Sequence, residues 1–405
     1  MNKTAKTAKK DTPLMTQYYA VKKKHKDTIV FFRMGDFYEM FHEDAVTASK
    51  VLGITLTSRG HGKAGDVPLA GFPYHALEGY LAKMIKAGFR VAVCEQVEDP
   101  KEAKGIVKRE VIQIITPGTV TSENLLELKR NNYLSALWEK DHIWGVASAD
   151  VSTGEFLVTE CSDRQLIDEI ESFRPAEILV SEEQKETVKQ KLKAHNMEIL
   201  LTGQEDWTFN REFGYETLTR HFGTTSLKGF GCEDLDQGLS AAGSVLNYLK
   251  ETQKTNLSHI TSLHLYTDDD FMHLDAATRR NLEITASLMG GEKQGSLLSI
   301  LDQTKTPMGG RTLLSWLNRP LNQLKPICLR HQSVEALYLD NQLREDLGDT
   351  LKHINDLERL LTKVVTNRAS PKDISGLAES LVLIPRIKES LKLEQRTQKI
   401  ESVRR

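Results

Sequence analysis

Cysteine is scarce in this sequence: four residues in 405, Cys94, Cys161, Cys232 and Cys328, far apart and with no CxxC pair. That spacing fits reduced thiols in a cytosolic protein better than a disulfide framework or a zinc site. Long hydrophobic runs are missing too. No stretch approaches the roughly 20 apolar residues of a membrane-spanning helix, so no membrane partner is expected. The opening MNKTAKTAKKD lacks the apolar stretch of a secretory signal and reads as a disordered basic tail over residues 1–11. The nearest approach to a GxxxxGK(S/T) phosphate loop, Gly290 to Gly295, has Ser296 where the lysine belongs and no strand before it. His42-Glu43 begins an HExxH zinc motif, but Val46 stands where its second histidine should be. No Ser/His/Asp or Cys/His set stands out.

What is present is a chain long enough for two or three domains. Its 39% apolar and 27% charged residues fit a core-forming protein with somewhat more charge than usual. The net charge of −2 hides an asymmetry. Residues 1–120 carry 19 Lys and Arg against 13 Asp and Glu, and the remainder carries 35 against 43. A basic first part on an acidic body places any anionic partner at the N-terminal part. The alternative is that Lys22, Lys23, Lys24 and Lys26 form a solvated helix end, which supplies most of the excess.

The organising stretch is TIVFFRMGDFYEMF, from Thr28 to Phe41. It reads as two short strands around a Gly35-Asp36 turn. Residues two apart in a strand share a face, so Phe37, Glu39 and Phe41 point one way and Tyr38 and Met40 the other. A carboxylate between two phenyl rings is a poor core pattern. Two readings follow: an edge strand with Glu39 in water, or Phe37 and Glu39 as ring and acceptor presented to one ligand.

Around this hairpin, Thr12-Pro13 starts a helix that runs to about Lys24. Helices are expected at 43–52 and 75–87, strands at 54–59, 89–96 and 110–116, and a flexible Gly- and Pro-containing loop at 60–70. The sum is a mixed α/β domain over 12–118, followed by a polar linker at 119–132. YLSALW, HIWGVASAD and GEFLVTEC are three strands in series, followed by alternating helix and strand, an α/β domain over 133–260. From about residue 270 only helical patterns remain: 279–288, 296–303, 307–317, 326–340, 343–364 and 371 onward. The fold class is therefore multidomain, α/β plus α. The all-α region, 261–405, ends without closing its core, as part of something larger would.

The pieces FFRMGDFYEMF, LTSRG, PLAGFPYHALEGYLAKMIKAGFRVAVCEQVEDP, KGIVKREVIQIITPGT, SADVSTGEF, LDAATRRNLEI and TPMGGRTLLSWLNRPL occur in this order. In them the chain resembles the N-terminal part of the MutS family of DNA mismatch-recognition proteins. The resemblance implies a mismatch-recognition domain, an RNase H-like connector and the incomplete beginning of a helical core and lever region. The family carries its DNA clamp and its ATPase further along. ATP and Mg²⁺ would act there, so no cofactor and no enzyme activity is expected in these residues, and the chain is expected to be a fragment or a truncated reading frame. The implied partners are double-stranded DNA with mismatches or small insertion/deletion loops, a MutL-type protein, and a second copy in the intact protein. The implied setting is the bacterial cytoplasm, at the nucleoid when on DNA.

The resemblance also puts Phe37 and Glu39 on the family's Phe-x-Glu motif, in which the ring stacks on a mispaired base and the carboxylate hydrogen-bonds it. Nearby phosphates and partial burial would favour a proton on Glu39 in the bound state. Met34 is expected either against the displaced base or in the hairpin core. Arg59 and Arg109 are expected as phosphate contacts or as solvated surface arginines, and small residues between Asp66 and Gly71 would allow close approach to a backbone. Two alternatives stand beside this reading. One is a metal-dependent nuclease using Asp150 at a strand end, whose partner acids the sequence does not identify. The other is a fragment that binds partners but not DNA.

Overall fold

The computed structural model describes residues 12–60, 66–98, 105–254, 257–267 and 271–393. The expected basic tail, the start of the 60–70 loop and the chain beyond 393 lie outside the described residues. Two compact units emerge: the chain up to Leu125 together with Leu249–Lys254, and the remainder.

In the first unit α1 (Pro13–Lys24) begins as its sequence dictates, with Thr12 as N-cap accepting from Met15 N and proline at the first turn. β1 (Ile29–Met34), β2 (Phe37–Phe41), α2 (His42–Leu52), β3 (Thr57–Gly60), β4 (Asp66–Pro73), α3 (Leu77–Lys86), β5 (Val91–Gln96) and β6 (Arg109–Ile115) follow. The six strands form one mixed sheet in the order β3-β4-β2-β1-β5-β6. β1 runs parallel to β5; the other pairings are antiparallel. One face is covered by α1, whose Met15 and Tyr18 pack on Val30, Phe32 and Phe41. The Tyr18 ring sits edge-on to Phe32 and Phe41 at 5.7 and 4.8 Å. Buried Asp44 of α2 ties this layer together, accepting from Lys22 Nζ (2.8 Å), Tyr18 OH (3.3 Å) and Val30 N (3.1 Å).

The expected loop at 60–70 is partly wrong. Residues 66–70 belong to β4, which pairs with β2 on one side and β3 on the other. Its Gly and Pro content hid a strand whose Val67, Ala70 and Phe72 are all buried. Pro68 lies where the ladder to β2 has already ended, so its missing N–H interrupts no pairing there.

The second unit is built on β7 (Leu134–Lys140), β8 (Ile143–Asp150) and β9 (Glu155–Ser162), the three antiparallel strands expected, with α4 (Leu166–Phe173) next. Then come β10 (Glu177–Ser181), α5 (Lys185–Ala194), β11 (Leu200–Gln204), α6 (Arg211–Phe222), α7 (Gln237–Gln253, whose residues from Leu249 on belong to the first unit) and the short β12 (His264–Leu265). The sheet order is β11-β10-β7-β8-β9-β12, with β10, β11 and β12 in parallel pairings. Among the described residues beyond 271 only helices and one isolated bridge, Phe271 to Leu321, are found.

Those helices are α8 (Ala276–Asn281), α9 (Leu297–Leu301), α10 (Pro307–Asn318), α11 (Leu324–Leu339), α12 (Asn341–Leu351), α13 (Leu357–Val365) and α14 (Pro371–Leu393). Two expected helices are shorter than their periodicity suggested. The one at 279–288 stops at Asn281, and Glu283 just beyond takes a left-handed backbone conformation (φ 48°) that a helix does not continue through. The one at 343–364 is split where Asp356 caps α13 by accepting from Arg359 N.

The motif TPMGGRTLLSWLNRPL explains itself here. Thr306 caps α10, accepting from Gly309 N (3.0 Å). A Cβ on Gly310 would lie 2.5 Å from Lys129 Cγ, so glycine lets that stem cross the helix. Arg311, 4% exposed, donates to both Asp356 oxygens (2.7 and 2.8 Å), to Glu358 (2.6 Å) and to Leu128 O (2.9 Å). Arg359 adds bonds to Glu127 O and Arg130 O. The polar stretch read as a linker is thus fastened at 127–130 by two buried guanidinium groups.

Candidate nucleic-acid interface

The β1–β2 hairpin forms as its sequence dictates. Met34 pairs with Phe37, leaving Gly35-Asp36 as a two-residue turn, and Gly35 has φ 58°. A positive φ at the first central position is what a type II′ turn needs, and glycine supplies it without a Cβ clash. The edge-strand reading of β2 is incorrect: it lies between β4 and β1.

Register fixes which side chains share a face. Phe37 stands opposite Met34 and Pro73, Glu39 opposite Phe32 and Gly71, and Phe41 opposite Leu69. Along this face α1 covers Phe41 and Phe32 completely, then leaves the hairpin end open. Met34 is half-buried against the core, Glu39 is half-buried, and Phe37 is 46% exposed. Phe37 is one of several exposed large apolar side chains; what sets it apart is the half-buried carboxylate of Glu39 beside it on the same sheet face. On the β4 side the residue across from Glu39 is Gly71, which has no side chain. A Cβ on Gly71 would sit 3.0 Å from Tyr38 O and 3.4 Å from Glu39 Cγ, so glycine keeps the approach to the carboxylate clear.

The opposite face holds the hairpin in place. Tyr38 packs with Phe31 and Phe72, and Phe72 stacks on Tyr80 at 4.5 Å. The Tyr38 hydroxyl donates to Glu95 on β5, and burial with that carboxylate beside it pushes the phenol well above its ordinary pKa. Arg33 donates to Gly35 O at the turn (2.5 Å) and to Glu95 (3.3 Å). Its guanidinium lies 3.9 Å from the Tyr74 ring centre. Tyr74 N in turn donates to Asp36 O (2.8 Å).

The remaining expected residues differ in fate. Met34 faces the same side as Phe37 and meets the core, so it serves the hairpin's packing as well as its open edge. Arg59 occupies the edge strand β3 opposite Val67. Arg109 lies on the site's face, but it is an internal brace. Its Nε donates to Arg33 O (2.6 Å) and its Nη1 to Val107 O (2.9 Å) and Gln17 (3.3 Å), with the guanidinium near the Phe32 ring. Those commitments leave it poorly placed as a phosphate contact. Lys22 is likewise no solvated helix end but the partner of buried Asp44.

Asp150 does sit at the end of β8, fully buried. One oxygen accepts from Ser152 N (2.8 Å) and Ser152 Oγ (2.7 Å), the other from Asn132 N (3.1 Å). That is a turn-capping carboxylate. Among the described residues no group of three His, Cys, Asp or Glu side chains is placed to hold a metal ion, and no helix is long and apolar enough to cross a membrane.

Sequence reasoning missed Arg33, Tyr74 and Glu95. Alternation in FFRMGDFYEMF sets Arg33 opposite Tyr38, but nothing local points to a carboxylate 62 residues away.

Comparison with known proteins gives the chain's family. Residues 12–124 match MutS domain I, residues 132–261 MutS domain II and residues 277–404 MutS domain III. The DNA mismatch repair protein MutS of Salinibacter ruber is 47% identical over 382 residues, covering 93% of this chain and 42% of that protein. Those of Chlorobaculum parvum and Flavobacterium psychrophilum are each 45% identical, over 96% of this chain and 45% of theirs. The chain therefore spans less than half the length of these relatives. It belongs to the MutS family, of which it carries domains I, II and III.

Proposed function

We propose that this chain is the mismatch-sensing part of a DNA mismatch repair protein, binding double-stranded DNA that contains mispaired bases or small insertion/deletion loops. The observation that carries the reading is the exposed Phe37 ring beside half-buried Glu39 on one sheet face, with Gly71 leaving the approach open. Phe37 acts as a wedge from the minor groove. Unstacking a base step costs a few kcal/mol, and the cost is least where pairing is already defective. A mismatch is thus read mainly as a place where the duplex kinks easily. Stacking on the ring returns about 1–3 kcal/mol for any base, because every base has a π-face. Glu39 then hydrogen-bonds the displaced base, accepting from an imino N–H when ionised and donating when protonated. An ionised Glu39 also repels well-paired DNA.

The sheet of the second unit is read as the RNase H-like connector and the helices after it as the beginning of the core and lever region. ATP and Mg²⁺ binding, dimer formation and a MutL-type partner belong, in this proposal, to the longer protein, in the bacterial cytoplasm. The rival nuclease reading finds little support, since Asp150 has committed both oxygens to backbone and hydroxyl donors.

Fluorescence anisotropy tests the proposal. The chain is titrated against a duplex with one unpaired thymine and its matched control at one fixed low salt concentration, because phosphate contacts make affinity depend on salt. Preference for the bulged duplex is expected. Equal binding to both refutes mismatch sensing by this chain, and no binding to either favours a fragment that meets only protein partners.

A further inference from the structure

We infer that Arg33 is a positioning residue, the centre of a brace on the back of the sheet that holds the Phe37 wedge rigid. This rests on the reading of Phe37 as the wedge. A wedge transmits force only if its own strand end does not give way. Phe37 is the first residue after a two-residue turn, at the end of the β1 and β4 ladders on either side of it.

Five contacts tie that turn to its surroundings, two of them, at Gly35 O and Asp36 O, on the turn itself. Arg33 reaches back to Gly35 O, so the turn carbonyl is tied to the strand that precedes it. The same guanidinium lies over Tyr74, just beyond β4, and Tyr74 N holds Asp36 O. It also pairs with Glu95 of β5, which receives the Tyr38 hydroxyl. Arg33 and Tyr38 are cross-strand partners, and Tyr38 immediately follows Phe37. One planar cation therefore links the turn, β2, β5 and the end of β4. From the other side Arg109 holds Arg33 O, fixing the backbone of the same residue. A guanidinium fits this role where an ammonium does not: it stacks on a ring while its N–H groups reach two acceptors in its own plane.

The test combines the binding assay with hydrogen exchange on the full chain. Arg33→Met removes the brace. Tyr74→Leu removes its platform at a residue 44% exposed, where loss of the fold is not expected. Arg33→Lys keeps the charge without the planar fork. In Arg33→Met and Tyr74→Leu, amide exchange across residues 34–38 is expected to accelerate while β5 and β6 stay protected. The ratio of bulged to matched affinity should fall about tenfold, as for a group misplaced rather than deleted, with matched-duplex affinity unchanged. Arg33→Lys should restore less than half of the loss. Combined with Phe37→Ala, neither substitution should lower the ratio further, since a brace without a wedge has nothing to hold. Unchanged exchange at 34–38 overturns the brace whatever the DNA shows. So does an affinity ratio that falls by the same factor with and without Phe37. A ratio insensitive to Phe37→Ala alone refutes the wedge, a separate result.

Discussion

Replacing Phe37 with alanine separates a sensor from a surface ring. The ring keeps 46% of its exposure, so about half its surface is already in water. Full burial of a phenylalanine side chain stabilises by about 1.5–3 kcal/mol, and half of that is roughly 1 kcal/mol. The position is open to solvent, so truncation leaves no closed cavity and adds no cavity cost. Urea denaturation followed by far-ultraviolet circular dichroism should show a loss of about 1 kcal/mol and no change of fold. Binding should respond much more. Loss of base stacking removes about 1–3 kcal/mol, which at 1.4 kcal/mol per factor of ten is roughly a 5- to 150-fold weaker complex with the bulged duplex. The matched duplex, which offers no unstacked base, should keep its affinity within about twofold. Anisotropy at one salt concentration reads both numbers. A variant that keeps the preference for the bulge refutes the wedge. A variant that weakens both duplexes equally means the ring contributes to general DNA contact and reads nothing.

Three further outcomes follow from the same structure. Glu39→Gln keeps hydrogen bonding but removes the negative charge, so binding to the matched duplex should strengthen while the bulged complex is retained. Identical behaviour to the wild type in anisotropy at every pH from 5 to 8 would show that the charge is irrelevant. Arg311→Met leaves Asp356 and Glu358 beside a neutral side chain and frees Leu128 O. Breaking such a buried pair costs about 3–5 kcal/mol, measurable as an earlier urea transition. The Asp373 carboxyl is held at about 2 by the Lys363 ammonium and the Ser370 hydroxyl. A depressed carboxyl stabilises the fold above its unfolded value near 3.9, and that contribution is lost as pH falls toward 2. Wild type and Asp373→Asn should therefore differ most above about pH 4 and converge near pH 2 in urea midpoints. A constant difference across that range would mean the carboxylate is not ionically paired.

Much of this was legible in the sequence, for reasons that are local. The hairpin follows from β-branched and aromatic residues around Gly35-Asp36, and the shared face of Phe37 and Glu39 from the two-residue period of a strand. The cap at Thr12 follows from a hydroxyl residue before a proline. Strand β4 was hidden because its evidence is pairing on two sides, which glycine and proline in the sequence argue against. The fates of the arginines were hidden more deeply. Arg33, Arg109 and Arg311 look alike in sequence. One braces the hairpin turn, one donates to backbone carbonyls inside the first unit, and one is buried between two acids 45 and 47 residues away. Periodicity reports which face a side chain takes. What a long cation meets there depends on distant segments brought together by folding, and that is settled by tertiary structure alone.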